Sequence, residues 1–216
     1  MPRSLGPDLT FRHAPLASRH RRRLLLPHTE SRESPCHRFP RSADYAAFIA
    51  LMNKAQEHEP LPILAACLMP NHFHLVVRPT HAANISRWVH WLCTTHMSHY
   101  HAKYKTSGRV WQGPYKACLI QTDHYLLAAM RYVERNALTA RLVQRAEDWT
   151  WSSLRWRNHP TPIVGLTQAP IELPGYWTEF VNQPQTAAEL KALRDCVNGQ
   201  KPFGDPLWVE QMLKRR

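Results

Sequence analysis

Ile63-Leu-Ala-Ala-Cys-Leu-Met-Pro-Asn-His-Phe-His-Leu-Val-Val-Arg78 is the stretch on which the fold turns. Ile63–Met69 is a continuous apolar run of strand length, the pattern of a buried strand. Pro70-Asn71 is a turn dipeptide. His72–Arg78 then alternates: His72, His74 and Val76 share one face, and Phe73, Leu75 and Val77 share the other. Residues two apart on a strand project to the same side, ~7 Å apart along the chain. Two imidazoles can lean inward from there and share one divalent ion. With 14 histidines in the chain, such a pair also arises by chance, and it needs other residues to give it weight.

Outward from this stretch, the periodicity predicts helices on either side. Asp44 to His58 carries Tyr45, Phe48, Met52 and Ala55 at helical spacing, with Asp44 as a cap and Pro60 and Pro62 beyond its end. A longer helix runs from Asn84 to about Tyr104, with Ile85, Trp88, Val89 and Leu92 as its inner stripe. Arg109 to Gln121 predicts an irregular strand around Gly113-Pro114. A third helix begins at Asp123 and runs to about Ala140.

On that third helix Tyr132 and Asn136 are four apart and share a face. Tyr125 lies one heptad earlier, and Arg131 and Arg135 flank the face. A phenol, with a pKa near 10, attacks only with help from a metal, a base or nearby cations. An amide oxygen suits Mg²⁺ or Mn²⁺, and guanidinium groups suit a phosphate. The spacing alone also fits a rim aromatic and a helix-end asparagine.

The residues also carry a resemblance. Cys67-Leu-Met-Pro-Asn-His72-Phe-His74-Leu-Val is similar to the signature of the HUH single-tyrosine (IS200-like) transposases, and most of all to that of the REP-associated tyrosine transposases. Val110-Trp-Gln-Gly-Pro-Tyr-Lys116, Arg131-Tyr132-Val-Glu-Arg-Asn136-Ala-Leu and Ala146-Glu-Asp-Trp-Thr-Trp-Ser-Ser153 agree in order and spacing. The resemblance covers Asp44 to about Leu154. It implies an α+β, ferredoxin-like antiparallel sheet flanked by helices. It implies single-stranded DNA with hairpin structure as partner, and a monomer or homodimer. It implies Mg²⁺ or Mn²⁺ held by His72, His74 and Asn136, and Tyr132 as the nucleophile, with Tyr125 the runner-up. The implied chemistry is transesterification through a 5′-phosphotyrosine link. Arg109, Lys116, Arg131 and Arg135 are candidate DNA contacts, and Trp88, Trp91 and Trp111 could stack on bases or pack in the core.

Composition agrees with a polyanionic partner: 28 Lys+Arg against 16 Asp+Glu give a net charge of +12 over 216 residues. No run approaches 18 apolar residues, so no membrane span is expected, and Leu24-Leu25-Leu26 is too short for a signal-peptide core. The five cysteines are scattered and form no CxxC pair. A disulfide framework or cysteine-held zinc is not expected, and a bacterial cytoplasmic setting suits the count.

Three segments follow: an atypical basic, disordered segment over 1–42, a catalytic domain over 43–157, and a C-terminal extension over 158–216 with two short helices. Thr186-Ala-Ala-Glu189 forms a capping box for one of these helices, and Asp205-Pro206 opens the other. Residues 1–42 hold no Val or Ile and are rich in Arg, Pro, Ser and His. They offer no strand. The family opens with one, so the first strand is expected to be missing. Compensating frameshifts across codons 11–42, or decay of the copy, would explain that loss. A catalytically decayed DNA-binding relative is the alternative that the missing strand favours, and a nuclease using water in place of Tyr132 is a third. Asn136-Ala137 stands where members often have Asn-Pro.

Overall fold

A computed structural model describes residues 22–27, 38–111, 115–121, 124–161, 163–199 and 201–214. Its strands are β1 (Arg22–Pro27), β2 (Ile63–Met69), β3 (His72–Val77) and β4 (Tyr115–Ile120). They form one antiparallel sheet in the order β2-β3-β1-β4. The described helices are α1 (Ser42–His58), α2 (Ala82–Tyr104), α3 (His124–Glu134), α4 (Asn136–Thr139), α5 (Ser153–Arg157), α6 (Trp177–Asn182), α7 (Ala187–Gly199) and α8 (Pro206–Lys214). The expected class, α+β with a small antiparallel sheet flanked by helices, is the one observed.

The expectation of a missing first strand is corrected. Arg22–Pro27 lies between β3 and β4, with Leu24 opposite both Val76 and Cys118. With the strand present, the frameshift or decay explanation loses its ground. The sequence reading weighed residue propensity, whose β scale spans only ~1 kcal/mol. A chain placed between β3 and β4 gives both neighbours their ladder hydrogen bonds, and backbone groups left unpaired there would lose more. The fold also takes in Arg38 and Phe39, ahead of the expected boundary at 43. Both are buried, and both backbone amides donate to the Pro70 carbonyl at 3.0 and 3.2 Å. The expected disorder of the rest of 1–42 lies outside the described residues.

The sheet is covered on both faces, which is why β2 is buried along its whole length. Phe73, Leu75 and Val77 pack with Ala66 and Leu68 against α1 and α2, where Phe48, Met52, Ile85, Trp88 and Leu92 are buried. Trp88 is fully buried, and Trp91 and Trp111 pack against the same cluster, so all three serve the core. Leu64, Cys67 and Val76 face the other way, toward Leu126, Ala129, Met130 and Val133 of α3. Period two on β3 thus puts His72 and His74 on the α3 side.

Both edges of the sheet are closed by chain from beyond the β4–α3 region. Along β2, the Leu68 amide donates to the Trp151 carbonyl at 2.9 Å and Trp149 Nε1 donates to the Leu68 carbonyl at 2.9 Å. Along β4, the Phe203 amide donates to Leu119 at 2.7 Å and the Gln121 amide donates to Phe203 at 2.8 Å. Gly204 fits there because a Cβ would come within 2.5 Å of Gln121 Oε1.

Cys118 on β4 and Cys196 on α7 form a disulfide, against the sequence expectation. Spacing along the chain cannot register a pair 78 residues apart. The edge contacts of β4 bring the two together.

Candidate active site

β3 starts immediately after the two-residue turn, with Met69 paired to His72 and Cys67 to His74. The two imidazoles lean toward each other: His72 Nε2 and His74 Nε2 are 2.8 Å apart, with ring planes at 83°. His72 Nδ1 is bonded to Asn71 Oδ1 at 2.6 Å. His74 is buried, and its Nδ1 has no hydrogen-bond partner. Burial first, and the neighbouring His72 second, hold the His74 imidazole well below its usual range. It is therefore neutral, with a lone pair to offer.

α3 brings Tyr132 over this pair. The Tyr132 and His74 ring centroids are 6.0 Å apart, edge to face. The end of α3 is anchored by Glu134, which is fully buried. Its carboxylate accepts from Ser153 Oγ at 2.5 Å, Trp177 Nε1 at 2.7 Å and Arg157 Nε at 3.0 Å. Those bonds tie α3 to α5 and α6 two residues past the tyrosine. The helix then breaks at Arg135, earlier than the expected end near Ala140. Asn136 Nδ2 donates to the Tyr132 carbonyl at 2.8 Å, so its side chain lies back along the tyrosine's turn. Burial raises the Tyr132 phenol above its ordinary value, and the Arg194 charge on α7 pulls it back down.

The arrangement is two imidazoles converging on one point, a phenol beside them, and a carboxamide one turn on. Residues 36–136 match the family model of IS200-like transposases. This part of the chain is similar to those transposases. A solved structure, of a REP-associated tyrosine transposase bound to a REP hairpin, is similar at 14% identity and a TM-score of 0.51. The match covers 82% of this chain and 100% of that one, and at such identity the likeness is of fold. No curated protein matches the chain.

The matched segment brings His72, His74 and Tyr132 together, and the Asn136 side chain is bonded to the Tyr132 carbonyl. The four basic candidates are placed differently. Arg131 is buried, stacks over Phe180 at 4.1 Å, and donates to the Gln183 and Pro184 carbonyls at 2.6 and 3.1 Å. Arg135 donates to the Val181 carbonyl at 3.1 Å and to that of Asn182. Both guanidinium groups therefore bind the end of α6. Lys116 reaches Asn198 at 3.1 Å, and Arg109 is exposed in the loop between α2 and β4. Tyr125, the runner-up nucleophile, packs edge-on against Phe203 at 5.1 Å, under the C-terminal chain.

Sequence reasoning missed two residues here. Asn71 was visible as a turn residue, and its position next to His72 was the available signal. Arg194 lies on α7, outside every motif, and only the packing of α7 on α3 and β4 brings its charge to Tyr132. Among the described residues no group of three or more His, Cys, Asp or Glu could hold a metal. Any ion here would take two imidazoles and oxygen ligands. No described helix is long and apolar enough to cross a membrane.

Proposed function

We propose that the chain is a transposase that cuts and rejoins single-stranded DNA beside a hairpin, through a covalent link to Tyr132. The observation that carries this reading is the approach of the Nε2 atoms of His72 and His74 to 2.8 Å, with the Tyr132 ring 6.0 Å from that of His74. The Tyr132 oxygen attacks the scissile phosphorus and loses its proton to solvent. The bond from phosphorus to the 3′ oxygen breaks, and that oxygen takes a proton from solvent and leaves as a hydroxyl. The 5′ phosphate stays on the tyrosine until a 3′-OH reverses the step. One P–O bond forms for each one broken, so no nucleotide cofactor is needed.

The donor set fits a divalent ion. His72 Nε2 and His74 Nε2 converge, His74 is kept neutral by burial, and the oxygen of Asn136 is the kind of ligand that Mg²⁺ and Mn²⁺ accept. When bound, such an ion would supply polarisation of the scissile phosphate. Arg109 and Lys116 are proposed DNA-backbone contacts. Arg131 and Arg135 serve the same partner indirectly here, by holding α6 against the nucleophile helix. The decayed-relative alternative drew on a missing strand, and β1 is in place.

The test is a labelled oligonucleotide carrying a REP-type hairpin and a single-stranded flank, with Mn²⁺. Wild-type protein is expected to retain label through denaturation, and Tyr132→Phe is expected to retain none. Equal labelling of both would move the nucleophile elsewhere. Turnover by Tyr132→Phe without labelling would favour hydrolysis by water.

A further inference from the structure

Asn71 takes the second place of the Pro70-Asn71 turn, and the turn itself does not call for asparagine. Among the described residues only Lys105, Arg141 and Gly108 have positive φ, so Asn71 sits where most residues are tolerated. Pro at the first place suits a type I turn, which is permissive at the second. The side chain is nonetheless committed. Asn71 Oδ1 lies 2.6 Å from His72 Nδ1, while the opposite nitrogen of that ring faces His74 Nε2 at 2.8 Å. A carboxamide oxygen has no hydrogen to give, so this bond puts the ring's proton on Nδ1 and leaves Nε2 with its lone pair. His74 has no comparable support, since its Nδ1 lacks a partner. The two imidazoles are unequally held.

We propose that Asn71 is a positioning residue: its carboxamide oxygen holds His72 in the Nδ1–H tautomer and aims the Nε2 lone pair at the point shared with His74. The purpose of that aim rests on the cation reading above, whereas the state of the ring does not. Groups that bind the far nitrogen of a ligating histidine fix its tautomer and raise its basicity, and their loss typically weakens metal binding by about 10–100-fold. Asn71 would act on the metal only through His72.

The test uses the full chain with ¹⁵N-labelled histidine, without metal and above the ordinary imidazole titration range, at about pH 8. Long-range ¹H–¹⁵N spectra report which nitrogen carries the proton. Wild-type His72 is expected as Nδ1–H, Asn71→Asp should keep it so, and Asn71→Leu should shift protonation toward Nε2. Asn71→Ala repeats the loss with a smaller side chain should leucine disturb the turn. Calorimetric titration with Mn²⁺ alone is the second readout. Asn71→Leu and Asn71→Ala are expected to bind about 10–100-fold more weakly, and Asn71→Asp within about threefold of wild type. Wild-type His72 protonated at Nε2, or an unchanged tautomer and Mn²⁺ affinity in both apolar variants, would overturn the proposal. A tautomer that follows Asn71, in a protein that binds Mn²⁺ no better than His74→Ala does, supports the hold on the ring and overturns the cation reading alone.

Discussion

The Arg131 guanidinium donates to the main-chain oxygen of Gln183 at 2.6 Å, so a residue beside the candidate nucleophile is bound to the end of α6. Arg135, one turn further on, does the same for Val181 at 3.1 Å. Two cations that a sequence reading assigns to DNA phosphate are thereby engaged by carbonyls of the same chain.

A first prediction separates those roles. Arg131→Ala and Arg135→Ala leave carbonyls without donors, and each is expected to lower stability by about 1–3 kcal/mol. The salt dependence of hairpin binding should stay near wild type. Arg109→Ala should instead leave stability alone and reduce the slope of log affinity against log salt by about one. Denaturant melts and binding titrations at several salt concentrations check both arms.

The Cys118–Cys196 bridge gives a second. It closes a loop across 78 residues of sequence separation and joins β4 to α7. A cross-link of this kind typically stabilises by about 2–4 kcal/mol. Reductant should lower the melting temperature of wild type and do nothing to Cys118→Ser, which should already melt low. Cys93, a free and half-buried cysteine, provides the control: Cys93→Ser should keep the reductant response.

His96 supplies a third, in acid. Its ring is packed among Phe48 at 5.0 Å, Trp111 at 5.3 Å and Phe39 at 5.5 Å, and its Nδ1 has no partner. Burial pushes its pKa down to about 4 from 6.5; Asp44 opposes this, and His99 and Arg38 add to it. Because the folded value is the lower one, the unfolded chain binds the proton first as pH falls. The stability is therefore present above about pH 6.5 and is lost between there and about pH 4. The full loss is roughly 3 kcal/mol, at 1.36 kcal/mol per unit. His96→Phe should flatten the stability profile across that window.

Arg194 supplies a fourth. Its charge acts on the Tyr132 phenol from α7. Arg194→Ala is expected to slow covalent-adduct formation at saturating DNA by about tenfold, equivalent to ~1.4 kcal/mol, with a smaller change in hairpin affinity. Lys191→Ala on the same helix, whose lysine pairs with Asp195 at 2.5 Å, should match wild type. Rates at saturating and limiting oligonucleotide separate the two effects.

The parts of the fold that proved legible were local in origin. β2, its turn and β3 follow from an apolar run, Pro70-Asn71 and strict alternation, and these fall where the sequence placed them to within a residue. The inner stripe of α2 is buried as its spacing indicates. Thr186 and Glu189 form their reciprocal cap, with the Thr186 amide donating to Glu189 at 2.8 Å and the Glu189 amide to Thr186 Oγ1 at 3.1 Å. What escaped was set by distant chain. β1 exists because β3 and β4 both need a neighbour, which no window around Leu24 reveals. α3 stops at Glu134 where the Asn136 side chain folds back on it, although the residues beyond are good helix formers. α6 was not one of the two short helices expected in the C-terminal extension, and its end is held by Arg131 and Arg135 from α3 and its boundary. At the site, the pairing of His72 with His74 could be read from the strand period. The roles of Asn71 and Arg194 depend on contacts that only the folded chain makes.

The central claim is that the Tyr132 oxygen is the atom joined to DNA. Mass spectrometry of peptides from wild-type protein, after incubation with the hairpin oligonucleotide and Mn²⁺ and nuclease trimming, addresses it most directly. A nucleotide attached through a 5′ phosphate to Tyr132 is the expected result. The same mass on Tyr125, or cut DNA bearing a free 5′ phosphate with every peptide unmodified, would contradict it.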